Sequence, residues 1–422
     1  MPRVSMLVRP LVPVAAAGAL LATLACGRDP SSDAPRDAGV TRAAGGEVTG
    51  AAPAGARAGA AAGTPAARPA CAPDNDGLTL PAGFCATVFV DSVGSPRHLA
   101  VAPNGDVFVA LQGARRRTAN ESGQGAKLGV LALRDTNGDG RADVRERFGE
   151  AGGTGIAVAP GWVYVDEGAE IVRYPLPAGR LVPSGAKQVV LSGLPMTGHN
   201  AHNMLLDGRG ALFVNIGSAT NSCQTADRQS GSPGADPCTE LTTRAGVWRY
   251  DANRTGQRFS PAERWFTGNR NAMGLALDPR DGALYATQHG RDQLFQNWGQ
   301  RFTTEQSAEL PAEELQRVTR GADFGWPYCY YDQRQQRRVL APEYGGDGQK
   351  VGRCAGRPAP VAAFPGHWAP MSLLFYTGQQ FPARYRDGAF IAFHGSWKRA
   401  PLPQAGYRVT FVPFTAGQAA GT

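Results

Sequence analysis

The sequence predicts an all-β chain folded as a β-propeller, on three observations. Gly 55 and Pro 32 in 422 residues, with modest aromatics, favour short strands joined by turns. Apolar runs of helical period are scarce. A two-stranded hairpin pattern recurs at irregular intervals along the chain, as blades with insertions in their loops would require.

Taken in order, the chain opens as an export signal over residues 1–25. Arg3 and Arg9 precede an apolar run over 11–24 that is too short to span a membrane and ends in small residues. Cys26 follows Thr23, Leu24 and Ala25, resembling a lipoprotein cleavage site, although Thr23 stands where such sites usually carry Leu. A plain secretory cut after Ala25 is the alternative. Residues 26–70 are Ala, Gly, Pro, Ser and Arg with almost no large apolar side chain, a composition that predicts a disordered tether. The propeller domain is therefore expected over 71–422.

Residues 84–90 are strand-like and lie where a closing strand would sit. Hairpins with period-2 alternation about a polar turn follow at 98–111, 155–165, 203–216 and 273–286, and more loosely at 372–392. A β-sandwich would not repeat one hairpin in this way. The last strand-like run is 407–412, so a six-bladed architecture would lack most of its final blade.

The formal net charge is +8, carried almost wholly by Arg. No basic helix or aromatic-interleaved basic stripe accompanies it, and Arg115, Arg116 and Arg117 sit in a loop-like stretch. Solvated surface charge, rather than nucleic-acid binding, is the reading. Beyond Cys26, six cysteines fall as three close pairs, Cys71 with Cys85, Cys223 with Cys238, and Cys329 with Cys354. An even number in an exported chain predicts disulfides, and sequential pairing is the most economical connectivity. The spacings are too wide for a zinc site, and no Cys-x-x-Cys-His marks covalent haem.

Two sets of residues carry chemistry. Asp135, Asn137, Asp139, Asp143 and Glu146, with Gly140 at the turn and Arg141 offering a carbonyl, match a calcium loop at each ligand position. No paired helices flank it, so a structural ion pinning a blade loop is expected; a polar hairpin turn is the alternative. The second set lies in Gly-rich segments beside strands: His199 and His202; Arg270 and Asn271; the run Gln288, His289, Gly290, Arg291, Asp292; His367; and His394 with Lys398 and Arg399. A lone histidine such as His98 is read as structural. Loops that together bring His, Arg, Asn and Lys to one end of a propeller imply a cationic pocket for an anionic ligand, with a proton acceptor.

These segments, together with the run 322–327, resemble in order the soluble glucose/sorbosone dehydrogenases, from about residue 78 to 414. The resemblance implies a six-bladed propeller holding pyrroloquinoline quinone (PQQ) with calcium at its axial mouth. It implies His199 as catalytic base, and Arg270 with Asn271 beside the reactive quinone carbonyl. It gives the carbonyls of Gly290 and Arg291 as calcium ligands, and Lys398, Arg399 and His367 as cofactor-binding residues. His202 stands where relatives often carry Arg or Lys and is assigned no catalytic role. The activity implied is oxidation of a sugar or aldose hydroxyl, with electrons passing to an external cytochrome or quinone-type acceptor. A non-catalytic surface propeller binding glycan or protein is the alternative. A lactonase-like hydrolase would need converging carboxylates at the axis, where His, Arg and Asn predominate instead.

Overall fold

The computed structural model describes residues 71–112, 129–396, 398–415 and 418–419. The expected signal peptide, tether and Cys26, and the run Arg115 to Arg117, lie outside the described residues. Strands dominate, and the α-helices among the described residues are Leu294–Trp298 and Thr304–Glu309. No helix among them is long and apolar enough to cross a membrane.

Each of the five hairpins forms the first two strands of a four-stranded antiparallel sheet. Blade 1 is Pro96–Val101, Val107–Leu111, Gly129–Arg134 and Val144–Phe148. Blade 2 is Ile156–Ala159, Trp162–Asp166, Glu170–Pro175 and Gln188–Ser192, with Gln257–Arg258 added in parallel at its outer edge. Blade 3 is Met204–Leu206, Ala211–Ile216, Gly246–Asp251 and Arg264–Thr267. Blade 4 is Leu275–Leu277, Leu284–Gln288, Glu313–Val318 and Ala362–Phe364. Blade 5 is Pro370–Phe375, Gly388–Phe393, Arg408–Thr415 and Gln418–Ala419. Successive blades touch through their first strands.

The apolar core is divided between blades. Phe108 and Val130 of blade 1 meet Val163 and Val172 of blade 2, and Tyr164 and Leu191 of blade 2 meet Leu212 and Trp248 of blade 3. Phe213 and Phe266 then meet Leu275 and Leu284, and Tyr285 and Leu315 meet Leu373 and Ile391. Both faces of an inner blade are thus covered, which is why Ala211–Ile216 is buried along its whole length instead of alternating. Each large side chain fully buried this way contributes about 1.5–3 kcal/mol.

The expectation of six blades is corrected to five among the described residues. The remaining strand pair, Cys329–Asp332 with Arg337–Leu340, is a separate hairpin inserted in blade 4. Residues 84–90 form no strand. Their side chains instead cover the two outer blade faces. Phe84 packs edge-on against Phe381 and Tyr385 near blade 5, at ring separations of 4.8 and 5.0 Å. Phe89 and Val90 cover Val109, Leu111, Leu131 and Leu133 of blade 1. Alternating apolar residues that read as a strand serve here as a cover, because the surfaces to be buried flank the segment.

His98 has the structural role expected of it. Its Nδ1 lies 2.8 Å from Asn203 Oδ1, and Asn203 Nδ2 donates to the Met273 carbonyl at 2.5 Å, linking blades 1, 3 and 4. Burial lowers its pKa to about 4, so the ring is neutral at ordinary pH.

The three disulfides pair as the spacing predicts: Cys71–Cys85, Cys223–Cys238 and Cys329–Cys354. Such bonds suit an oxidising compartment. The last two staple insertions that clasp each other. Tyr328 Oη accepts from Cys238 N at 2.9 Å, Arg353 ion-pairs with Asp236 at 2.5 Å, and Tyr344 stacks edge-on with Tyr328. Reduction under native conditions is expected to lower stability by about 2–4 kcal/mol per bond. Melting curves with and without reductant check this, and non-reducing peptide mapping that found free thiols would contradict the pairing.

Candidate functional site

In an antiparallel blade the start of the first strand and the end of the second share one end of the sheet. His199 precedes the first strand of blade 3, and Ser218 and Asn221 follow its second. Arg270 and Asn271 precede the first strand of blade 4, and His289 to Asp292 follow its second. His367 precedes the first strand of blade 5, and Lys398 and Arg399 follow its second. Topology alone therefore gathers these residues at one end of the propeller. The Asp135–Glu146 loop joins the third and fourth strands of blade 1, which puts it at the opposite end.

The centre of the cluster is Asp292, to which sequence reasoning gave no role. Its carboxylate receives Lys398 Nζ at 3.0 Å and Arg228 Nη2 at 3.2 Å, with Arg270 Nη2 at 3.6 Å and His367 Nδ1 at 3.5 Å. Burial alone would raise its pKa, but the His367 hydrogen bond and the charges of Arg270 and Lys398 hold it well below the usual carboxylate range. Three cations thus converge on Asp292, with Asp227 also 3.8 Å from Arg228, and ammonium and guanidinium donors gathered in one place suit an anionic ligand.

Arg270 is held by neutral oxygens. Its Nε donates to the Asn221 carbonyl at 3.0 Å, Nη1 to the Gly290 carbonyl at 3.0 Å and Nη2 to Asn221 Oδ1 at 3.1 Å. Burial lowers its pKa to about 10, leaving it charged at neutral pH. Asn271 Oδ1 accepts from Asn215 Nδ2 at 2.9 Å. A methyl group on Gly217 would lie 2.5 Å from His199 Cβ and 2.8 Å from Asn271 Oδ1, so the close approach of these two residues requires glycine there.

His199 is fixed through Ser218. Ser218 N donates to the Arg270 carbonyl at 2.8 Å, and the Ser218 carbonyl accepts from His199 N at 2.9 Å and from His199 Nδ1 at 2.9 Å. Donation from Nδ1 leaves Nε2 with its lone pair. Burial, and then the Arg270 charge, push the His199 pKa well below 6.5. His289 donates from Nε2 to the Pro370 carbonyl at 2.8 Å, and burial lowers its pKa to about 4. His202 lies apart: wholly buried, with Nε2 on the Pro195 carbonyl at 3.1 Å and Nδ1 3.5 Å from Asp166.

Other expected site residues are directed elsewhere. Arg399 ion-pairs with Glu309 and donates to the carbonyls of Ala308 and Gly366 at 2.9 and 3.0 Å. The Arg291 side chain forms a buried ion pair with Glu343 at 2.5 Å. His367 donates to the Ser307 carbonyl at 2.8 Å besides facing Asp292. Glu313, another residue missed from sequence, accepts from Gly290 N at 3.0 Å, and burial raises its pKa to about 7.

For calcium the protein offers less. The Gly290 carbonyl already accepts from Arg270, and no three His, Cys, Asp or Glu side chains are grouped to hold a metal ion among the described residues. An ion there would take most of its oxygens from the bound anion and water. In the blade-1 loop the carboxylates accept from the loop's own amides. Asp135 receives Gly138 N at 2.7 Å and Gly140 N at 2.8 Å, Asp139 receives Arg141 N at 2.8 Å, and Asp143 receives Thr136 N at 2.7 Å. Asn137 Oδ1 accepts from Asp139 N at 2.9 Å, and Glu146 is exposed on the following strand.

Residues 78–422 match the TrAA12-like family profile. The chain belongs to the TrAA12-like family. Among solved structures, a Trichoderma reesei enzyme of carbohydrate-active family AA12 is 18% identical with a TM-score of 0.61, over 79% of this chain and 82% of that one. The PQQ domain of pyranose dehydrogenase from Coprinopsis cinerea, in its holo form, is 18% identical with a TM-score of 0.61, over 78% of each chain. These two structures share the fold of this chain. An uncharacterized protein of Borreliella burgdorferi is 28% identical over 144 residues, 34% of this chain but only 32% of that relative.

Proposed function

We propose that this TrAA12-like protein is a quinone-dependent oxidoreductase that oxidises a hydroxyl of a sugar or aldose with PQQ as hydride acceptor. The observation that carries the reading is the cationic cluster on Asp292 beside a neutral His199 with a free Nε2. The likeness in fold to the PQQ domain of the Coprinopsis cinerea pyranose dehydrogenase supports it.

Arg270, Asn271 and Lys398 would hold the carboxylated quinone, joined by Arg228, while His367 and Arg399 support the surrounding loops. When bound, PQQ supplies the two-electron acceptor for the hydride leaving the substrate carbon. His199 Nε2 takes the hydroxyl proton, with Ser218 fixing the tautomer through Nδ1. Arg270 would stabilise the negative charge the acceptor gains. Calcium would be held by the carbonyls of Gly290 and Arg291 together with the bound anion. Electrons then leave to an external cytochrome or quinone-type carrier. The protein acts after export, with Cys26 as a point of lipid attachment.

Purified protein should bind PQQ and reduce an artificial electron acceptor with at least one member of an aldose panel, with calcium supplied and then chelated. Chelation should also lower the melting temperature if the Asp135–Glu146 loop holds an ion. A folded protein that binds no PQQ, yet binds glycan, would replace this reading with that of a non-catalytic surface propeller.

A further inference from the structure

Arg291 and Arg338 are neutralised by buried carboxylates, Glu343 at 2.5 Å and Glu314 at 2.5 Å. Arg270 is buried to a similar degree, at 4% exposure, but is held differently. Its three close hydrogen bonds go to uncharged oxygens, two of them on Asn221, and the Asp292 carboxylate stands off at 3.6 Å. A guanidinium has five N–H donors in a fixed fork, so two remain after these bonds. Neutral acceptors fix its orientation without cancelling its charge.

Asn221 is built for that task. It is 1% exposed, and each of its polar atoms is engaged. Its carbonyl accepts from Arg270 Nε and from Trp326 Nε1 at 3.1 Å, and its N–H donates to Asp227 Oδ1 at 3.0 Å. Its Oδ1 accepts from Arg270 Nη2 and from Asp292 N at 2.9 Å, while Nδ2 donates to the Asp292 carbonyl at 2.9 Å. One amide side chain therefore clamps both Arg270 and the backbone of Asp292. Asn221 in turn sits two residues before Cys223, where the disulfide to Cys238 anchors the loop. We propose that Asn221 is a positioning residue that aims Arg270 at the anionic ligand, holding it by neutral oxygens while Asp292 stays 3.6 Å away. This rests on the proposed quinone chemistry only for the identity of that ligand.

The chemistry separates two substitutions. Asn221→Leu keeps the branched shape and loses all three side-chain hydrogen bonds. Asn221→Asp keeps an acceptor for Arg270 but adds a charge that neutralises it and repels the Asp292 carbonyl. Accessibility of Arg270 is read in the ligand-free protein by phenylglyoxal labelling and peptide mass spectrometry; PQQ affinity is read separately by equilibrium titration. Wild type should leave Arg270 unlabelled. Asn221→Leu should expose it to labelling and weaken PQQ binding about tenfold or more. Asn221→Asp should keep Arg270 unlabelled yet weaken PQQ binding by a similar factor. On an Arg270→Ala background, Asn221→Leu should have little further effect on PQQ binding, because the shared interaction is already gone.

Additive losses in the double variant would overturn the proposal, as would Asn221→Leu with Arg270 still unlabelled. If Asn221→Leu does not fold, Asn221→Asp decides: unchanged PQQ affinity or a labelled Arg270 would sink the idea. If wild type takes no PQQ, the quinone reading fails, while the labelling pattern still tests the hold on Arg270.

Discussion

Arg270→Ala is expected to raise the dissociation constant for PQQ by about 10²-fold and to cut turnover at saturating cofactor by a comparable factor. The size follows from what the guanidinium does in the folded chain. It is a buried charge, and away from bulk water an ionic hydrogen bond to an anion is worth more than a neutral one. Its removal takes one donor from the Asn221 carbonyl and Oδ1, which keep Trp326 Nε1 and Asp292 N, and leaves the Gly290 carbonyl without its donor. An orphaned buried acceptor costs roughly 1–3 kcal/mol, so the loops at this end should loosen and melting should fall as well. Arg270→Lys separates the two contributions. It retains a charge but cannot reach all three oxygens at once, so it should recover part of the affinity and little of the turnover. Titration of PQQ and single-turnover rates check this, and an Arg270→Ala protein that binds PQQ within threefold of wild type would remove Arg270 from the site.

The hairpins were legible because each carries a period-2 apolar run on both sides of a polar turn, a signal local to about a dozen residues. Blade number was not local. Residues 84–90 alternate like a strand, but whether Phe84 and Phe89 pair edge-on or lie across blade faces depends on surfaces formed later in the chain, at Phe381 for Phe84 and at Val109 to Leu133 for Phe89. The same division runs through the site. His199, Arg270 and Lys398 lie in short Gly-rich segments beside strands, so their common end of the propeller follows from strand order alone.

Asp292 stood in the run that starts at Gln288 without a role, and the signal that could have singled it out is charge: several cations drawn to one place need a counter-carboxylate. Asn221 and Arg228 offered no such signal. They lie around and within the Cys223–Cys238 insertion, which has no periodicity, and they reach Arg270 and Asp292 only once two insertions clasp. Arg399 shows the converse. It neighbours Lys398 in sequence, yet its side chain turns to Glu309, because this irregular stretch past the strand has no periodicity to say where neighbouring side chains point.

His199→Ala is expected to lower turnover by about 10²–10⁴-fold, the range for loss of a general base, while PQQ remains bound through Arg270 and Lys398. His202→Ala is the comparison. That ring is buried against Asp166 and the Pro195 carbonyl, so its loss should cost stability and leave turnover per folded molecule within a few-fold. The pH dependence adds a signature that structural damage cannot imitate. Because burial and Arg270 push the His199 pKa well below 6.5, the folded enzyme keeps the neutral, proton-accepting ring at pH values where an exposed histidine would already be charged. Activity should therefore hold as pH falls through 6.5 and decline only at distinctly lower pH, with the acid limb missing from the residual rate of His199→Ala. Stability runs the same way: the unfolded chain takes up a proton near 6.5 that the folded ring refuses, so this group's contribution is complete above 6.5 and is lost as pH falls towards the folded value. In Arg270→Lys the cation beside the ring is less firmly placed, and the acid limb should move up towards 6.5. An acid limb already at 6.5 in wild type, or equal losses at His199 and His202, would show that another group accepts the proton.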